Sequence, residues 1–264
     1  MDFQFMQVDG LSVRYVDTRT GSRTILLVHG LGGSIESWIN NISGLSKELR
    51  VVALDLPGFG YSDKPKMDYT IKFYSDFVSK FARAIGIAPA TIAGSSLGGH
   101  VGAEVAIRHP GTVSRLVMIS PPGALPKSFT GTPALKNYVK VLQAKSVPEV
   151  KKALFEVDNR PVDDNYAKIV YEKLAMPGAK EAFLSALMGS ARAPRLNSRL
   201  GRIKAPAMLL WGKDATMIPV KYAEPFIRMK NCRVVLLEGC GHRVHVDKPQ
   251  VFNRLVAGFA QEEG

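Results

Sequence analysis

Cysteine is nearly absent. Cys232 and Cys240 are the only two in 264 residues, too few to staple a chain of this length, so stability must come from a buried core. They have no metal-ligand spacing and the histidines do not supplement them, so neither a metal nor a cofactor is expected. Long apolar runs are missing too: no stretch approaches the roughly 18 uninterrupted apolar residues of a membrane helix, and no membrane association is expected. The opening Met1-Asp2-Phe3-Gln4-Phe5 has neither a basic nor an apolar leader region, which makes a cytoplasmic enzyme the expectation. Internal repeats and low-complexity tracts are absent as well. Acidic residues are scarce, 23 against 35 Lys and Arg, for a net charge of +12. The excess gathers in residues 121–204, with 15 Lys and Arg against 7 Asp and Glu. Those charges are dispersed and no nucleic-acid motif accompanies them, so they read as a solvated helical surface without a nucleic-acid partner.

What is present is a regular alternation. Thr24–Val28, Val51–Leu54, Thr91–Ala93 and Leu116–Ile119 are apolar runs too short for helices and bounded by turn residues. Tyr74–Ile85 and Val101–Arg108 between them carry apolar residues at helical spacing. This pattern predicts an α/β fold, a mostly parallel sheet with helices on both faces. Residues 121–204 break it: helical pieces near 134–145, 148–156, 163–175 and 179–189 are punctuated by Pro133, Pro148, Pro161, Pro177 and Pro194. That stretch is too long for a loop and predicts a helical cap. Strand signals return at Ala207–Trp211 and Arg233–Leu237, and a last helix covers about Val251–Ala260. The expected organisation is a core built from 1–120 and 205–264, interrupted by a cap at 121–204.

Gly94-Ser95-Ser96-Leu97-Gly98 fits G-x-S-x-G, with a strand-forming run before it and a helical pattern after it. A strained strand-to-helix turn of this kind lifts the serine hydroxyl above the sheet edge, and the helix start favours developing negative charge. A P-loop is excluded because its Lys-Ser/Thr ending is missing. Ser96 is therefore the candidate nucleophile, and Ser95 does not fit the motif. His29-Gly30-Leu31-Gly32-Gly33 follows the run ending at Val28 and lets main-chain N–H groups approach a substrate oxygen. The N–H groups of Leu31 and Leu97 are the expected oxyanion donors, while His29 reads as a structural hydrogen-bonding residue. Gly239-Cys240-Gly241-His242 follows the last strand signal, and His242 is the candidate general base. His245 is its local competitor; His100 and His109 read as structural. Gly30 and Trp38 are candidate pocket residues, Trp38 with packing of the first helix as the equal alternative. Asp55 reads as a turn residue.

These motifs, with Asp55-Leu56-Pro57-Gly58-Phe59-Gly60-Tyr61-Ser62 and Trp211-Gly212…Pro219, make the chain resemble the α/β-hydrolase superfamily over essentially its whole length. The branch it resembles is the cap-bearing one of esterases, C–C bond hydrolases, haloperoxidases and dehalogenases. The resemblance implies a W-G-x-x-D-x-x-x-P segment whose aspartate completes a catalytic triad. Here Trp211, Gly212 and Pro219 fit, but the aspartate position holds Ala215, and Asp214 lies one residue early. Three readings stay open: Asp214 orients His242 after a small loop adjustment, Ala215 is an introduced Asp→Ala change, or the natural protein lacks the acid. The leading expectation is a carboxylesterase acting on small acyl esters through an acyl-enzyme. A C–C bond hydrolase or perhydrolase on the same residues, or a binding protein on a hydrolase scaffold, are the alternatives. Oligomeric state is not readable.

Overall fold

A computed structural model of the chain describes residues 2–126 and 133–262. The six anticipated apolar runs are strands: β3 (Thr24–Val28), β4 (Arg50–Leu54), β5 (Ala90–Ser95), β6 (Val113–Ile119), β7 (Ala207–Gly212) and β8 (Cys232–Leu237). Two more, β1 (Gln4–Val8) and β2 (Leu11–Asp17), form a hairpin before them. The strand order is β1-β2-β4-β3-β5-β6-β7-β8; β1, β2 and β4 pair antiparallel, and the remaining pairs are parallel.

Helices on both faces make the central strands apolar throughout rather than alternating with polar residues. The period of two survives in which side of the sheet each residue serves. Leu26, Val28, Val52, Leu54, Ile92, Leu116, Met118, Leu209 and Trp211 belong to one apolar cluster. Ile25, Leu27, Val51, Ala53, Ala93, Val117, Ile119, Met208 and Leu210 belong to the other. Helices α2 (Ile71–Ala84) and α3 (Leu97–Arg108) fill the first side, and α1 (Ile39–Leu45) and α10 (Pro249–Gln261) the second. The start of α2 is set by Thr70, whose Oγ1 accepts from Phe73 N–H at 3.0 Å. Thr70→Ala is expected to cost about 1 kcal/mol of stability in a urea titration, the usual loss for an N-cap.

Between β6 and β7 the chain makes α4 (Pro133–Lys140), α5 (Val147–Asp158), α6 (Asp164–Leu174) and α7 (Ala179–Arg192). Val141, Val150, Ala153, Val162, Ala167 and Val170 give these helices a small core of their own. They are fastened to the sheet domain by a buried charge cluster. Lys173 of α6 donates to Ser34 Oγ at 2.7 Å and to Glu36, while Arg14 bridges Glu36 at 2.8 Å and Asp55 at 2.7 Å. Burial pushes the Glu36 carboxyl up, but Lys173, Ser34 and Arg14 outweigh it and hold the group at about 2. Two short helices, α8 (Glu224–Ile227) and α9 (Val244–Asp247), precede β8 and α10. No helix among the described residues is long and apolar enough to cross a membrane.

Candidate active site

The site is built at the C-terminal ends of β3, β5 and β8, where open α/β sheets leave a crevice. Ser96 stands between β5 and α3 with φ 53° and ψ −115°, a conformation forbidden to most L-residues. The surrounding glycines explain why the chain can turn there. A Cβ on Gly94 would lie 2.1 Å from the Gly98 carbonyl oxygen, and one on Gly98 would lie 2.1 Å from the Val28 carbonyl oxygen. The turn is pinned by Ser96 N–H donating to Ile119 O at 2.8 Å and His100 N–H to Ser96 O at 3.1 Å. The Ser96 hydroxyl makes no hydrogen bond among the described residues, and it faces two cavities.

One cavity is largely apolar and is lined by Leu31, Leu125, Leu187 and Ile218, with Arg195 at its wall. The other is lined by Gly30, Tyr166, His242, Arg243 and Asp158. Leu31, Ser96, Tyr138 and Met217 line both. Ser96 therefore sits at the junction of a strongly apolar chamber and a more mixed one. The N–H groups of Leu31 and Leu97 have no acceptor among the described residues; that of Leu97 is one of those a helix start leaves unpaired. The Leu31 carbonyl is held by the Tyr138 hydroxyl of α4, which fixes that peptide.

His242 follows β8 and is buried; neither ring nitrogen has a hydrogen-bond partner among the described residues. Burial pushes its imidazole down to about 4, against the pull of Asp158 and with a further push from Arg243. It is thus held neutral, as a base must be before it takes a proton.

The other sequence candidates fall as follows. His29 is structural: its Nε2 accepts from Leu56 N–H at 2.9 Å and its Nδ1 lies 2.7 Å from Gly30 O. Asp55 is the hub of its turn, accepting from Arg14 Nε, Ile35 N–H and Tyr61 N–H. Trp38 lines neither cavity; it is fully buried, with its ring centroid 4.1 Å from that of His245. His109 donates or accepts at Asp76 at 2.7 Å, away from Ser96. The two cysteines are unpaired, and no group of metal ligands exists among the described residues.

Asp214 is not brought to the imidazole. Its carboxylate is half-exposed and accepts from Arg160 at 2.7 Å, because its side chain leaves the loop on the solvent side. Ala215 is buried, and the carboxylate beside it comes from a residue the sequence did not single out, Asp158 at the end of α5. Asp158 accepts from Thr216 N–H at 3.2 Å and from His242 N–H at 2.5 Å. Its only sequence signal is a carboxylate at a helix C-terminus, the end where negative charge is disfavoured.

A doubly wound sheet with a strained serine at the C-terminal edge, free N–H donors beside it and a neutral buried histidine defines the hydrolase class built on this fold. The family model of the α/β-hydrolase fold matches residues 23–249, and the chain belongs to that family. It is 30% identical to the dihydrolipoyllysine-residue acetyltransferase component of an acetoin cleaving system from Cupriavidus necator, over 96% of this chain and 68% of that one. A 2-hydroxy-6-oxononadienedioate/2-hydroxy-6-oxononatrienedioate hydrolase of Burkholderia vietnamiensis is 28% identical over 94% and 91% of the two chains. Among solved structures, a membrane phospholipase A described as a bacterial virulence factor superposes with a TM-score of 0.84 at 29% identity, over 98% of this chain and 85% of that one.

Proposed function

We propose that the protein is a serine hydrolase of small carboxylic esters, with Ser96 as nucleophile and His242 as general base. The reading is carried by the strained serine, which shares a cavity with a neutral histidine beside two unpaired main-chain donors. Ser96 Oγ attacks the ester carbonyl while its proton passes to His242 Nε2, and the N–H groups of Leu31 and Leu97 hold the oxyanion. The imidazolium then gives the proton to the departing alcohol. Water, deprotonated by the same ring, releases the acid from Ser96. The apolar chamber would take the acyl chain, and α4–α7 would act as a cap over it.

A second reading, hydrolysis of a carboxylate-bearing oxo-dienoate, is favoured by two observations. The cavities hold Arg195 and Arg243, either of which can pair with a carboxylate, and the Burkholderia relative acts on such a dicarboxylate. The two readings separate in one comparison of kcat/KM on p-nitrophenyl butyrate and on a 2-hydroxy-6-oxo-dienoate. A tenfold or greater preference, roughly 1.4 kcal/mol in the barrier, for the ester supports the esterase reading. The reverse preference replaces it, and no turnover of either overturns both.

A further inference from the structure

Asp158 is a buried carboxylate with no cation bonded to it among the described residues. Its partners are Thr216 N–H at 3.2 Å, Met217 N–H at 3.5 Å, Thr216 Oγ1 at 3.5 Å and His242 N–H at 2.5 Å. Three of the four belong to the segment just after Ala215, so the carboxylate occupies the ground that an aspartate at 215 would serve. The neighbouring chain is shaped to admit it: a Cβ on Gly241 would fall 2.3 Å from Asp158 Oδ2. The flanking residues hold the same docking, with Thr216 Oγ1 on Val157 O at 3.4 Å and Arg160 on Asp214 at 2.7 Å.

Beside this carboxylate lies a buried imidazole with two unused nitrogens. Of the two ring nitrogens Nδ1, bonded to Cγ, is the nearer to the main chain, so an oxygen held by the residue's own N–H lies closer to the reach of Nδ1 than to that of Nε2. Rotation of the side chain can bring Nδ1–H to that oxygen and leave Nε2 for the cavity that His242, Asp158 and Ser96 line together. We propose that Asp158, supplied by the inserted helices, is the positioning residue for His242, accepting its Nδ1 proton in place of the acid missing at 215. This rests on Ser96 and His242 being nucleophile and base.

The test uses the full chain with p-nitrophenyl butyrate and a fluorophosphonate that labels Ser96. Asp158→Asn is expected to lower kcat on the order of 10²- to 10⁴-fold, as disabling a triad acid does, with KM little changed. The acid limb of the pH profile should move to lower pH, because burial and Arg243 still disfavour the charged ring while the carboxylate's negative charge is gone; His245, itself lowered by burial, stays neutral. Ala215→Asp placed in the Asp158→Asn background should recover at least tenfold, which a merely structural role would not allow. Asp214→Asn should change little. Should Asp158→Asn not fold, the phosphonylated unaltered protein still decides: an Nδ1 proton resonance far downfield is expected in its proton NMR spectrum, and its absence overturns the proposal. An Asp158→Asn enzyme with unaltered kcat and pH profile, or loss of activity in Asp214→Asn instead, also overturns it while leaving Ser96 and His242 standing. An unaltered chain that neither labels nor hydrolyses overturns the hydrolase reading, and Asp158's role with it.

Discussion

Ser96→Ala is expected to lower kcat on esters by about 10⁴- to 10⁶-fold, the loss found when a catalytic serine is removed from a triad enzyme. The residual rate would reflect binding and the two main-chain donors alone. The fold should be untouched, because the hydroxyl bonds to nothing among the described residues, and the positive φ is set by glycines and main-chain bonds that remain. Fluorophosphonate labelling should vanish and the melting temperature should stay within a few degrees. Ser95→Ala is the control: Ser95 is buried in β5, with its main chain paired to β6, so it should still label. Full activity in Ser96→Ala would overturn the assignment.

Acid is expected to unfold this protein earlier than its carboxylates require. Burial is the largest cause lowering His242 to about 4, His100 to about 3 and His245 well below its ordinary value, and His29 is lowered too. Each is neutral when folded and takes a proton near pH 6.5 when unfolded, so its contribution is full above about pH 6.5 and shrinks as the pH falls toward the folded value. Each depressed imidazole costs ~1.4 kcal/mol per pH unit in that window, so His242, His100 and His245 together cost about 4. Against a total of about 5–15 kcal/mol, stability should fall measurably as the pH drops from about 6.5. Glu36 and Asp76, both held at about 2, lose their contribution only below the ordinary carboxylate range. Asp247, raised mainly by burial, works in the opposite direction. Denaturant titrations between about pH 6.5 and 4.5 check the slope. His245→Phe, which keeps the packing on Trp38 and Phe252, should remove roughly a third of it. A flat profile would mean these rings are hydrated in solution.

The sequence disclosed the parallel strands because a doubly covered sheet writes them as unbroken apolar runs between turns. It singled out Ser96, the glycine-rich turn after β3 and His242 as candidates because the chemistry proposed for them depends on near neighbours in the chain: glycines for clearance, a helix start for donors. The first hairpin was less legible. Its β1 is half exposed, and the signal lay in Asp9-Gly10, both at positive φ, as a two-residue hairpin turn requires. Asp158 was illegible for a different reason. Its meaning depends on contact with residues 58 and 84 positions away, and nothing in a helical pattern ending in Asp-Asn reports that. Trp38 was ambiguous because a large aromatic beside a glycine turn serves a pocket wall and a core equally well.

The seating of Asp158 has a consequence for inheritance. The inserted helices carry a small core of their own and so could pass between relatives as a module, changing substrate preference while leaving the sheet intact. In this protein such an exchange would also remove the carboxylate that accepts from the His242 N–H. Replacing these helices would thus cut the Lys173–Glu36 tie to the sheet domain and, on the proposed role of Asp158, damage turnover unless residue 215 became aspartate in the same step. On the proposed role of Asp158, specificity and catalysis, separable where the acid lies after β7, are linked in this chain.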